Sequence, residues 1–174
     1  VSHARLRGLY AITDENLIPE GSFITTIELA LDGGASIIQY RDKSANSKKR
    51  LEQATALRNS CSEYQAILII NDDIALAKAV AADGVHVGED DASIKEARSI
   101  LGENSIIGAS CYNQLARAIN AQAAGADYVA FGTMFSSPTK PGARSASLEL
   151  ISDAKAQLDV PVCAIGGIDQ LNVE

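Results

Sequence analysis

The chain has 174 residues, 47% of them apolar and 21% charged, which suffices for one domain with a sizeable core. A net charge of −7 and a pI of about 4.8 exclude a broad basic surface for nucleic acid, and no apolar run approaches the roughly 20 residues of a membrane helix. Three scattered cysteines and an opening without a long apolar core suit free thiols in the cytoplasm, while two histidines, His3 and His86, exclude a histidine-rich metal centre.

In chain order, residues 9–13 read as a first strand, followed by the polar turn Asp14-Glu15-Asn16. Ser22 is placed to cap a helix that runs to Asp32 and stops at Gly33-Gly34. Residues 36–40 form a second strand whose end carries Gln39, Arg41 and Lys43. A helix over 47–60 follows, with Leu51, Ala54 and Leu57 on one face. Its opening Lys48-Lys49-Arg50 places cations at the positive helix end and is read as a solvated basic face. Residues 67–70, 74–82 and 85–87 make a compact β-α-β unit, with Asn71-Asp72-Asp73 after its first strand and Glu89-Asp90-Asp91 after its second. Ser93 and Glu96 have the form of a capping box. A fifth strand over 105–109 ends at Ser110, a helix covers 113–124, and a sixth strand covers 127–131. After a polar loop to Ser145, a helix over 146–158 precedes a seventh strand over 161–165 that ends in Gly166-Gly167.

DGGASIIQYR, AADGVHVGED and AAGADYVAFG repeat one arrangement, a glycine turn between a helix end and a buried strand. Strands alternating with helices indicate a parallel sheet. Polar residues follow nearly every strand, which fits a (β/α)8 barrel better than an open sheet, because barrels spread their site over many strand ends. The expectation is a single α/β barrel domain over 1–174 that lacks the eighth strand and last helices, about 30 residues short. An edge exposed at the missing strand would favour association, as a homo-oligomer, or instability.

The strand ends gather cations and acids on one face. Arg41, Lys43 and Lys140 suit phosphate oxygens, and Asp72 with Asp91 suits Mg²⁺, which takes carboxylate, water and phosphate oxygens. Ser137, Thr139 and the amides of Gly166-Gly167 suit a second anion. Each has a plainer reading: Asn71, Asp72 or Asp73 as a helix cap, Arg41 and Lys43 as surface charges, Ser110 as a turn residue, the glycines as a tight loop. Ser110 has no histidine near it in sequence, which points to leaving-group stabilisation rather than a covalent intermediate. Strand alternation turns His86 into the barrel, where a structural hydrogen-bonding role is expected, and Cys111 is expected to be a packing residue.

LYAITD, GGASIIQYRDK, LIINDD, ADGVHVGEDD, IIGASCYN, GADYVAFGTMFSSPTKPGA and PVCAIGGI together resemble the thiamine-phosphate synthase family over essentially the whole chain. The resemblance implies a (β/α)8 barrel enzyme that joins hydroxymethylpyrimidine diphosphate to thiazole phosphate with Mg²⁺, releasing diphosphate. It implies that Gln39, Arg41, Lys43, Asn71, Ser110 and Lys140 contact the pyrimidine diphosphate, with Arg41, Lys43, Ser110 and Lys140 as catalytic groups. Asp72 and Asp91 would bind the metal, and Ser137, Pro138, Thr139 and Gly167 the thiazole phosphate. The alternatives are a thiazole tautomerase, expected to lack the metal acids and to carry a histidine where Tyr112 stands, and a non-catalytic binding relative.

Overall fold

The computed structural model describes residues 3–88, 93–135 and 145–173. Among these residues seven strands run, β1 (Leu9–Ile12), β2 (Ala35–Tyr40), β3 (Ile67–Asn71), β4 (Gly84–Val87), β5 (Ile106–Tyr112), β6 (Tyr128–Phe131) and β7 (Val162–Ala164). They pair in chain order and all in parallel. Between them lie α1 (Phe23–Asp32), α2 (Ser47–Glu63), α3 (Ile74–Ala79), α4 (Ile94–Leu101), α5 (Leu115–Ala123) and α6 (Leu148–Gln157).

The sheet is curled. Laid flat, β1 and β6 would stand about 24 Å apart, at about 4.8 Å per strand. Instead the rings of Tyr10 on β1 and Tyr128 on β6 lie 5.9 Å apart, and their hydroxyls are 2.7 Å from each other. That contact is possible only if the strands close most of a barrel, so the sequence expectation of an incomplete (β/α)8 architecture matches what is seen.

Strand alternation sorts the side chains into two layers. Ile38, Leu68, Ile70, Val85, Ile107 and Val129 point outward and are fully buried under the helices. The helices meet them with small residues, Ala54, Ala97, Ala118 and Ala154, all at 0% exposure. This is where the chain's alanine is used: short side chains let the helices pack close on a β-branched surface. The inward set, Ile37, Ile67, Ile69, Ile106 and Tyr128, fills the lower lumen with Tyr10 and Cys163 beside it. Gly84 and Gly108 point the same way, and a β-carbon at Gly108 would lie 2.0 Å from Tyr128 Cζ. Gly108 is thus the space into which the Tyr128 ring fits.

Several local expectations change. Ser22 does not cap α1; its hydroxyl donates to Pro19 O, because a 3-10 turn over Glu20–Ser22 leads into the helix. In α2, Ala54 and Leu57 are buried but Leu51 is 45% exposed, and the buried stripe continues instead to Ser60 and Cys61. Helix α3 stops at Ala79 because Ala81 turns left-handed at φ +50°. Strand β5 runs on to Tyr112 through an irregularity in register after Ser110, with Tyr112 at φ +55°. The Ser93 cap is present: its hydroxyl accepts from the Glu96 amide.

Candidate active site

The C-terminal ends of β2 and β3 bring the expected cations and acids together. Thr13, 1% exposed at the end of β1, fixes the path of the next strand: its Oγ1 accepts from the Arg41 amide at 2.8 Å and donates to the Arg41 carbonyl at 3.1 Å. The Arg41 guanidinium then sits 3.8 Å from Asp14 and 3.9 Å from Glu15, on the loop after β1. Lys43 pairs with Asp72 across to β3. Asn71 donates its side-chain amide to the same Asp72 carboxylate at 2.5 Å.

Three consecutive polar residues after β3 have separate tasks. Asp73 caps α3, accepting from the Leu76 amide at 2.8 Å. Asp72 is held left-handed at φ +63°, with its amide donating to the His86 carbonyl at 2.9 Å. Few residues other than glycine adopt that conformation, aspartate among the more tolerant, and such strain gathers at functional sites. The helix cap therefore falls to Asp73, and Asp72 is left to pair with Lys43.

The basic opening of α2 is not simply a solvated face. Lys48 is, with its side chain 85% exposed. Lys49, however, pairs at 2.9 Å with Asp42, and Arg50 at 2.6 Å with Asp73. Burial works to raise the Asp42 carboxyl, but hydrogen bonds from Ser44 and Lys49 outweigh it and hold the group below its usual range. These neighbouring carboxylates relieve the repulsion between the lysine and arginine and the positive helix end, and Asn46 caps the helix through the Lys49 amide.

Ser110 meets a histidine after all. His86 Nε2 lies 2.8 Å from Ser110 Oγ, and its Nδ1 lies 2.8 Å from the Tyr128 hydroxyl. Tyr128 bonds Tyr10, and Tyr10 accepts from the Gln39 side-chain amide at 2.8 Å. The expected interior, hydrogen-bonded His86 is present; the partner sequence reading missed is Ser110, 24 residues away. Tyr10 and Tyr128 were missed as well, though the alternation that placed His86 inside also places them there. Desolvation lowers the His86 pKa to about 4, with Asp72 opposing weakly, so the imidazole is neutral at pH 7. Burial raises both tyrosines above their ordinary value. Gln39 is only 3% exposed, inside the lumen at the far end of this chain of contacts.

At β7, Gly166 and Gly167 have φ of +97° and +66°. A β-carbon on them would lie 2.7 Å from Thr133 Cγ2 and 2.6 Å from Phe135 O, so packing as well as conformation requires glycine. Cys111 is fully buried and its thiol is pushed up to about 11 by desolvation, as suits a packing residue. Among the described residues, no three histidine, cysteine, aspartate or glutamate side chains converge as a metal site. Asp91, Ser137, Pro138, Thr139 and Lys140 lie outside the described residues. No described helix is long and apolar enough to cross a membrane.

The chain is similar to known proteins. The model of the thiamine monophosphate synthase family matches residues 9–174. A thiamine-phosphate synthase of Nitrosococcus oceani is 55% identical over 167 residues, covering 96% of this chain and 77% of the relative. That of Thioalkalivibrio sulfidiphilus is 51% identical over 168 residues, covering 97% and 80%. The solved thiamine phosphate pyrophosphorylase of Pyrococcus furiosus superposes with a TM-score of 0.85 at 39% identity, covering 96% of this chain and 78% of that one. The chain belongs to the thiamine-phosphate synthase family of transferases.

Proposed function

We propose that the chain transfers the hydroxymethylpyrimidine group from its diphosphate to the ring nitrogen of thiazole phosphate, giving thiamine phosphate and diphosphate. The observation that carries this reading is the Lys43–Asp72 pair beside Arg41, two cations and a carboxylate on adjacent strand ends of one barrel mouth. An alkyl diphosphate leaves readily once its charge is neutralised, and Lys43 and Arg41 are the groups placed to do so. Asn71 holds the Asp72 carboxylate in place. The hard oxygens of Asp72 are the donor type Mg²⁺ takes, and with Asp91 they would hold it. Bound there, the metal would supply further charge neutralisation at the leaving diphosphate. Ser110 and Gln39 would orient the pyrimidine above an apolar lumen that keeps water from the electron-poor carbon left behind. Ser137, Pro138, Thr139 and Gly167 would take the thiazole phosphate, and Lys140 the diphosphate. The small-molecule chemistry and the three free thiols suit a cytoplasmic setting.

The test is diphosphate release from the purified chain given both substrates, with and without Mg²⁺, beside Asp72→Ala. Release should need both substrates and the metal and should be lost in the variant. Release from either substrate alone, or full activity of Asp72→Ala, would overturn the assignment.

A further inference from the structure

The lumen holds an unbroken line of hydrogen bonds, Gln39–Tyr10–Tyr128–His86–Ser110, drawn from β2, β1, β6, β4 and β5, each link between 2.7 and 2.8 Å. Distances alone do not say which way the hydrogens run, but counting donors does. The Gln39 amide nitrogen has hydrogens only to give, and it gives one to Tyr10. The single phenolic hydrogen of Tyr10 then goes to Tyr128, and that of Tyr128 to His86 Nδ1. A neutral imidazole with an accepting Nδ1 carries its hydrogen on Nε2 and donates to Ser110 Oγ. The Ser110 oxygen is thereby filled from inside, and its own hydrogen points out of the line.

The opposite order fails at one atom. If Ser110 donated to His86 and the histidine to Tyr128, Tyr10 would receive hydrogens from both neighbours. Its own hydrogen would then have no acceptor among the described residues. An unmet hydroxyl in a desolvated lumen disfavours that order by roughly ten- to a hundredfold.

We propose that Tyr10 and Tyr128 are positioning residues that order this line, so that His86 carries its hydrogen on Nε2 and Ser110 offers its hydroxyl hydrogen outward to an acceptor on the substrate. The Ser110–His86 contact has the spacing of a nucleophile and its base, but its polarity is reversed. A histidine acting as base would need a bare Nε2, and here that atom is the donor. Ser110 is therefore a donor, and the group it meets must carry a lone pair. With the synthase reading, on which only the identity of that group rests, it is a pyrimidine ring nitrogen or a diphosphate oxygen.

Nitrogen-15 NMR of the imidazoles decides the question without substrate. The chain has two histidines, and His3→Gln leaves the His86 signals alone. The expected pattern at pH 7 is a protonated Nε2 and an unprotonated, hydrogen-bonded Nδ1. Tyr128→Phe keeps the ring that fills the Gly108 space and should shift the Nδ1 resonance toward that of a free lone pair. It should also raise KM for the pyrimidine diphosphate roughly tenfold, the weight of one hydrogen bond, while leaving KM for thiazole phosphate in place. A hydrogen found on Nδ1, an Nδ1 resonance unmoved by Tyr128→Phe, or equal rises in both KM values would overturn the proposal. Because the tautomer is read in the absence of substrate, an inactive chain would count against the synthase reading alone.

Discussion

At the N-terminal ends of the strands, Asp83 and Asp127 form matching clasps. Asp83 Oδ2 accepts from the Leu68 amide at 2.8 Å and from Arg58 at 2.6 Å. Asp127 Oδ2 accepts from the Ile107 amide at 2.8 Å and from Arg98 at 2.7 Å. Each carboxylate ties the start of its own strand to the preceding strand and to the helix before that strand, α2 for Asp83 and α4 for Asp127. At the C-terminal ends, Asp72 also pairs with a cation, Lys43, but it shares its carboxylate with the side-chain amide of Asn71, and its backbone is left-handed. A similar ion pair thus fastens strands at one end and, in the function proposed here, serves chemistry at the other. What marks the clasps is that the N–H of a buried strand completes each pair, whereas the mouth pair sits on the face where barrels build their sites.

The largest effect should come from the upper mouth. Lys43→Ala is expected to cut the rate of diphosphate release by about a thousandfold, as loss of one charge-stabilising donor does, with the melting temperature little changed. A matching loss of stability would place Lys43 with the clasps instead. Next comes the lower end. Asp127→Ala leaves the buried Ile107 amide and Arg98 without their partner and should cost about 3 kcal/mol in chemical denaturation. The folded fraction should keep its KM values, and a changed KM would break the division of labour.

His86 offers a third test, by pH. Its folded pKa of about 4 lies below the unfolded value, so between pH 6.5 and 4 the unfolded chain binds a proton that the folded chain refuses. Stability from this group is complete above pH 6.5 and drains away as pH falls, by about 2 kcal/mol at pH 5. His86→Gln should flatten that part of the denaturation profile; an unaltered slope would assign it to other groups. The smallest effect should be at Leu51, whose exposure predicts a change below about 0.5 kcal/mol for Leu51→Ala. Leu57→Ala, from a fully buried position, should cost about 3 kcal/mol.

Much of this was legible beforehand because the signals are local. Short apolar runs followed by polar residues marked the strands, three of them preceded by a glycine turn, and alternation put His86 inside. The misreadings share a cause. Leu51 sits on the expected helical stripe, but the curved sheet reaches α2 further along, at Ala54, Leu57 and Cys61. Lys49 and Arg50 looked solvated because their acids lie 7 and 23 residues away on other strand ends. Tyr10 and Tyr128 are 118 residues apart, and no window of sequence shows that closure brings them together. Ser110 and His86 belong to the same class: each was noticed, while their contact belongs to the barrel.

A methyl group missing from one strand lets a phenol stand upright on the next, since a β-carbon at Gly108 would fall 2.0 Å from Tyr128 Cζ. The two positions therefore cannot drift independently. Gly108→Ala is closed to the chain while tyrosine stands at 128. A lineage that first shrank residue 128 would be free to fill 108, and a tyrosine could not then return in a single step. The hole in β5 works as an evolutionary ratchet on the ring in β6: lost once and filled, the hydroxyl between Tyr10 and His86 could be regained only by undoing two changes in order.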